Sequence, residues 1–109
     1  MAFDEGLAER VREEVGDDLS ISERRMFGGL CFLSHGNMCF GIIGSDVLVR
    51  VGPEAYALSL ALPHVREMDL TGRPLRGIVV VDSEGLSEDG LLRTWLHRGL
   101  AFTDTLPPK

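Results

Sequence analysis

Residues 24–51 read Arg24-Arg25-Met26-Phe27-Gly28-Gly29-Leu30-Cys31-Phe32-Leu33-Ser34-His35-Gly36-Asn37-Met38-Cys39-Phe40-Gly41-Ile42-Ile43-Gly44-Ser45-Asp46-Val47-Leu48-Val49-Arg50-Val51, and this stretch decides the fold. Apolar runs at 30–33 and 38–43 flank Ser34-His35-Gly36-Asn37, and a residue-plus-glycine turn between two such runs predicts a β-hairpin. Gly44-Ser45-Asp46 makes a second turn, after which 47–51 reads as a third strand. Three consecutive strands on short turns form an antiparallel meander rather than βαβ crossovers. Upstream, Phe3, Leu7, Val11 and Val15 recur every four residues with Ala8 beside them, while Glu5, Glu9 and Glu13 hold another face. That is an amphipathic helix entered at Asp4 and ended at Gly16-Asp17. Downstream, Pro53 stands in the first turn of a short helix over 54–62, which Pro63 stops. Residues 67–70 read as a fourth strand and Thr71-Gly72-Arg73-Pro74 as a turn. Residues 78–81 are β-branched and apolar without alternation, the mark of a central or two-sided strand. Asp82-Ser83-Glu84-Gly85 breaks that strand. Ser87, with Glu88 and Asp89 behind it, starts a last helix with Leu91, Leu92, Trp95, Leu96, Gly99 and Phe102 on its inner face. The order α-βββ-α-ββ-α specifies an α+β fold of two layers, helices against an antiparallel sheet.

The sequence has 109 residues, 44% hydrophobic and 26% charged. That length and composition suit one domain over 1–109, with a core large enough to need neither a disulfide framework nor a structural metal. Eleven Lys and Arg stand against seventeen Asp and Glu, a formal net charge of −6. Residues 1–23 hold eight of those acids and two of the bases, so the whole imbalance lies there and 24–109 is neutral. An acidic chain is a poor coat for duplex nucleic acid, whose binding is driven by Lys and Arg replacing counterions on phosphate. Direct nucleic-acid binding therefore ranks last among the functional readings. The start of the chain is acidic rather than basic, and neither 58–62 nor 78–81 approaches the roughly 20 apolar residues of a membrane span. The expected location is the cytoplasm, where Cys31 and Cys39 behave as small buried apolar groups.

Reactive constellations are hard to find. Cys31, His35 and Cys39 suggest zinc by residue type. If His35-Gly36 is the two-residue turn, however, Cys31 falls opposite Phe40 and Cys39 opposite Phe32, and the two thiols point to opposite faces of the sheet. Ser45 lacks the strand-to-helix elbow of a nucleophilic serine. His64 and His97 read as surface or packing histidines. Gly28-Gly29 matches no phosphate-binding loop and is followed by a strand, so it reads as a tight bend where a side chain would clash. No catalytic residue, metal or cofactor is assigned. What stands out is arginine: Arg24 and Arg25 before the bend, Arg50 ending a strand, Arg73 and Arg76 around Pro74. Together they form a candidate anion- or carboxylate-binding patch.

Arg25-Met26-Phe27-Gly28-Gly29, the hairpin Gly36-Asn37-Met38-Cys39-Phe40, the strand Leu48-Val49-Arg50-Val51, Gly72-Arg73-Pro74-Leu75-Arg76-Gly77, and Trp95 followed by Leu106-Pro107-Pro108-Lys109 together resemble the N-terminal domain of the TfoX (Sxy) family. The likeness is to its short stand-alone members. The resemblance implies the fold order read above, a bacterial source and a link to regulation of competence genes. Its box of Met26, Phe27, Gly28 and Gly29, with Gly36, Met38, Phe40 and Trp95, is structural and brings no catalytic residue. Longer members of the family carry a second, helical domain that this sequence does not contain. Three functional expectations follow. The first is a non-enzymatic regulatory domain acting through a protein partner or a homodimer. The second is a small-anion or enzymatic site built on the arginines, and the third is direct nucleic-acid binding through them.

Overall fold

The computed structural model describes residues 3–26, 28–69, 72 and 74–109. Helix α1 (Glu5–Val15) starts where the Asp4 carboxylate accepts hydrogen bonds from the Gly6 and Leu7 amides, at 2.8 and 3.2 Å, satisfying two donors the helix cannot. Strands β1 (Ile21–Met26), β2 (Gly29–Ser34), β3 (Asn37–Ile43) and β4 (Asp46–Arg50) follow as a meander. Next come α2 (Tyr56–Leu60), β5 (Val65–Asp69), β6 (Pro74–Val81) and α3 (Asp89–Thr103). The six strands make one antiparallel sheet in the order β1-β2-β3-β4-β6-β5. The chain leaves β4, passes through α2, lays β5 at the edge, and returns to insert β6 beside β4.

The α+β class and two-layer architecture are those expected. Leu7, Ala8 and Val11 of α1 and Leu92, Trp95 and Leu96 of α3 share one buried cluster with Leu30, Phe32, Phe40, Ile42, Val47, Val49, Val79 and Val81 of the sheet. The alternate strand residues Leu48, Met68 and Val80 form a second, smaller cluster on the other face. There Arg66 of β5 reaches across β6 to Asp46 of β4, 2.7 Å away, along that apolar face. On the helical side Arg12 bonds both carboxylate oxygens of Glu23 at 2.9 Å, tying α1 to β1. No helix of the described residues is long and apolar enough to cross a membrane.

Several details depart from the sequence reading. Strand β1 precedes the expected hairpin; its Ser22-Glu23-Arg24-Arg25 run is exposed because it lies on the sheet edge. The His35-Gly36 turn is where it was expected, with Ser34 opposite Asn37. A β-bulge then shifts the register, so that Phe32 faces Phe40 and Cys31 faces Gly41. The expected pairs Cys31–Phe40 and Cys39–Phe32 are thereby corrected: Cys39 is the extra residue of β3. Helix α2 is shorter than 54–62, since Ala55 at its start offers no capping side chain. Helix α3 starts after Glu88 rather than Ser87, because Asp82 accepts from the Glu84 and Gly85 amides and winds Ser83–Leu86 into a 3₁₀ turn that ends at Ser87. Leu91, expected on the inner face of α3, is 43% exposed. Leu70, Thr71 and Arg73, from the expected fourth strand and turn, lie outside the described residues, as does Phe27.

Candidate functional site

Where β4 ends, the Val51 and Gly52 amides both donate to the Gly77 carbonyl, at 2.9 and 3.0 Å, and the chain turns off the sheet. Gly52 has φ +87°, and a β-carbon there would enter the ring of Phe102 on α3. This close approach sets α2 beside the C-terminal end of α3 and leaves a groove of about 840 Å³ between them. Leu58, 77% exposed, and Leu62 form one wall, and Ala101 and Phe102 form the other. Exposed apolar side chains that share one concave surface mark an interaction site more strongly than scattered ones. Leu19, 99% exposed on the loop before β1, is such a scattered one.

A second cavity of about 260 Å³ shares Gly52, Pro53 and Phe102 with the groove and is lined on its far side by Met38, Arg50, Leu75 and Arg76. The Arg50 guanidinium lies 5.4 Å above the Phe102 ring and donates a long 3.5 Å hydrogen bond to the Met38 carbonyl. On the α3 wall of the groove Arg98 stacks 4.3 Å over Trp95. Elsewhere four arginines have carboxylate partners: Arg10 with Asp89, Arg12 with Glu9 and Glu23, Arg66 with Asp46, Arg93 with Glu14. These pairs hold the Glu14 and Glu23 carboxyls below their ordinary range through hydrogen bonds from Arg93 and Arg12. Among the described residues Arg50, Arg76 and Arg98 have no such partner, nor do Arg24 and Arg25 on β1, and Glu54 is the one acid on the groove. Nearby, the Tyr56 hydroxyl is buried without a hydrogen-bond partner among the described residues; burial raises its pKa, with Glu67 adding to the effect and Arg76 opposing it.

The structure therefore brings two of the five candidate arginines, Arg50 and Arg76, to one cavity. Arg24 and Arg25 sit on β1, three strands from β4, about 14 Å at the usual strand spacing. As consecutive strand residues they face opposite sides, and Arg25 lies 5.5 Å from the Phe3 ring on the helical side. Arg73, like Phe27 of the box, is outside the described residues. The remaining motif residues serve the framework. Met26 pairs with Gly29 across the β1–β2 turn, where Gly28 has φ +74°. His35 and Gly36, at φ 50° and 85°, form the β2–β3 turn. Onto that turn docks the C-terminal tail: Lys109 N donates to His35 O at 2.8 Å and Asn37 Nδ2 to Pro107 O at 2.9 Å. Phe40 and Trp95 are core, and Met38 lines the smaller cavity.

Both cysteines are buried and free. Cys39 sits in the helical-side core with its thiol donating to the Phe32 carbonyl at 3.2 Å, and burial pushes its pKa up to about 12. Cys31, between Leu30 and Phe32, points to the other face, beside Gly41. Neither thiol is expected to react with an aromatic disulfide reagent at about pH 8 in the folded protein, and both should react in denaturant. Rapid labelling of either without denaturant would contradict this placement. Among the described residues no three His, Cys, Asp or Glu side chains gather at metal-binding geometry.

The groove residues Leu58, Leu62, Arg98 and Phe102 were not singled out from the sequence. A signal was present, since Leu58 and Leu62 are four apart beside a helix, but whether such a pair is covered depends on tertiary packing. No curated protein and no solved structure matches the chain. The model of the TfoX N-terminal domain does match, over residues 14–103, from the last turn of α1 to the end of α3. The chain belongs to the TfoX N-terminal domain family.

Proposed function

We propose that this domain acts without catalysis, as a regulatory protein-interaction module that docks a partner in the groove between α2 and α3. The observation that carries the reading is the exposure of Leu58, at 77%, on the wall of a concave apolar surface of about 840 Å³. Leaving a leucine there in water forgoes roughly 1.5–3 kcal/mol that burial against a partner would recover. A regulatory role in competence, in a bacterial cytoplasm, accords with family membership and forms part of the proposal. A photo-crosslinking amino acid at position 58 should capture a defined protein in cells, while the same group at position 19, on the isolated exposed leucine, should not. Leu58→Glu should abolish capture by a crosslinker placed at position 62, with stability changed by no more than about 0.5 kcal/mol, as for most surface substitutions. Equal capture from positions 58 and 19 would remove the reading.

A second reading is favoured by Arg50, which lies over the Phe102 ring and has no carboxylate partner among the described residues: a small anion in the 260 Å³ cavity. Inorganic phosphate or citrate would then raise the melting temperature of the wild type and not of Arg50→Ala. No shift with either anion would discard it.

A further inference from the structure

We propose that the segment filling the groove is an amphipathic helix carrying carboxylates beside its apolar anchors. The inference rests on the protein-interaction reading above and specifies the chemistry of its partner. Two observations carry it. The first is spacing. On the α2 side the groove is walled by Ala55, Leu58, Ser59 and Leu62, and on the α3 side by Arg98, Ala101, Phe102 and Thr105. Each set has the i, i+3, i+4, i+7 spacing of one helical face, with Ala55 and Leu62 flanking the five-residue α2 and Thr105 just past the end of α3. Two such stripes flanking a trough present the ridges and grooves into which a third helix packs, at an interaxial distance of about 8–10 Å.

The second observation is charge. Arg98 on the groove and Arg50 and Arg76 in the adjoining cavity have no carboxylate partner among the described residues, and Glu54 is the one acid lining either. Outside the groove, among the described residues, four arginines make ion pairs and Arg24 and Arg25, on β1, do not; what sets the groove apart is that three arginines without such partners gather around one concave surface. A partner helix with Asp or Glu at its flanks would supply the missing carboxylates, and one with Lys or Arg would meet like charge. A second copy of the chain is a poor occupant. Helix α1 has the acids, but its apolar residues Leu7, Ala8 and Val11 are at most 6% exposed. Helix α2 has one exposed leucine, Leu58, and no acid within it.

The test uses the full chain and two fluorescein-labelled peptides of about 14 residues, near the minimum length for a helix in water. Both carry leucine at i, i+3, i+4 and i+7; one is flanked by glutamates and the other by lysines. Fluorescence anisotropy should show the glutamate peptide binding at least about tenfold more tightly, with the gap narrowing as salt screens the charges. The variant Arg76→Glu/Arg98→Glu changes two exposed side chains, and unaltered circular dichroism checks that it folds. It should reverse the preference, and Leu58→Glu should weaken both peptides. Equal binding of the two peptides overturns the acidic partner and leaves the groove reading standing. No binding by either, with no crosslink from position 58, overturns both. Concentration-dependent dimerisation that Leu58→Glu abolishes would also overturn the proposal, by making a second copy the occupant.

Discussion

Phe40→Ala is expected to lower stability by about 3–5 kcal/mol, the usual cost of emptying a fully buried aromatic site. Phe40 is 0% exposed and stands at the centre of the sheet, opposite Phe32 on β2 and Val49 on β4. Its ring packs on that of Phe32 with centroids 5.3 Å apart and planes tilted by 39°, a favoured aromatic arrangement. Above it lies Gly99 of α3, where a β-carbon would come within 3.4 Å of the Phe40 ring and closer still to the Cys39 carbonyl. The helix is held so near the sheet that it cannot settle into the space alanine would leave, and the cavity term is felt in full. Urea denaturation should show the midpoint falling with an unchanged slope. A loss below about 1 kcal/mol would mean that α3 does not rest on β3 in this way.

Gly29→Ala should cost about 2–4 kcal/mol, more than an ordinary overpacking change, because the obstacle is backbone. A β-carbon on Gly29 would collide with the Ile42 carbonyl oxygen and stand 3.0 Å from Ile43 Cγ1. Ile42 is held between Leu30 and Val47 in the sheet and cannot yield without breaking the ladder. Gly28 is the control. It has φ +74° but open space around it, so Gly28→Ala should lose only the conformational term, about 1 kcal/mol. Thermal and urea unfolding of the two variants should rank them in that order. Equal losses would show that the turn conformation, and not the approach of β2 to β3, is what the second glycine secures.

The two-layer α+β fold was legible because its signals are local. Apolar runs, a glycine turn at His35-Gly36 and the four-residue period of Phe3, Leu7 and Val11 each report on a few neighbouring residues. Strand β1 was not legible: Ser22-Glu23-Arg24-Arg25 has no apolar alternation, and it becomes a strand only by pairing with Leu30–Leu33 beside it. The bulge at Cys39 was hidden for a related reason. In Met38-Cys39-Phe40 three consecutive apolar residues give no sign of which one is extra, so the turn could be placed but not the register beyond it. Of the arginine cluster, Arg50 and Arg76 come together because β6 inserts beside β4 after β5, a long-range pairing that sequence distance does not encode. Arg24 and Arg25, adjacent in sequence to the same glycine bend, end on the far edge strand. The groove was the least visible feature, since its walls lie about forty residues apart and its emptiness is a fact about packing rather than about either wall.

The central claim is that the groove between α2 and α3 is where this domain meets its partner. Backbone amide chemical shifts, followed by NMR while the glutamate-flanked peptide is added to the full chain, test it most directly. The largest shifts should fall in residues 51–62 and 98–105, with little change along β1 or at Leu48, Met68 and Val80 on the opposite face of the sheet. Shifts concentrated on β1 or on that opposite face, with the α2 and α3 amides unmoved, would contradict it.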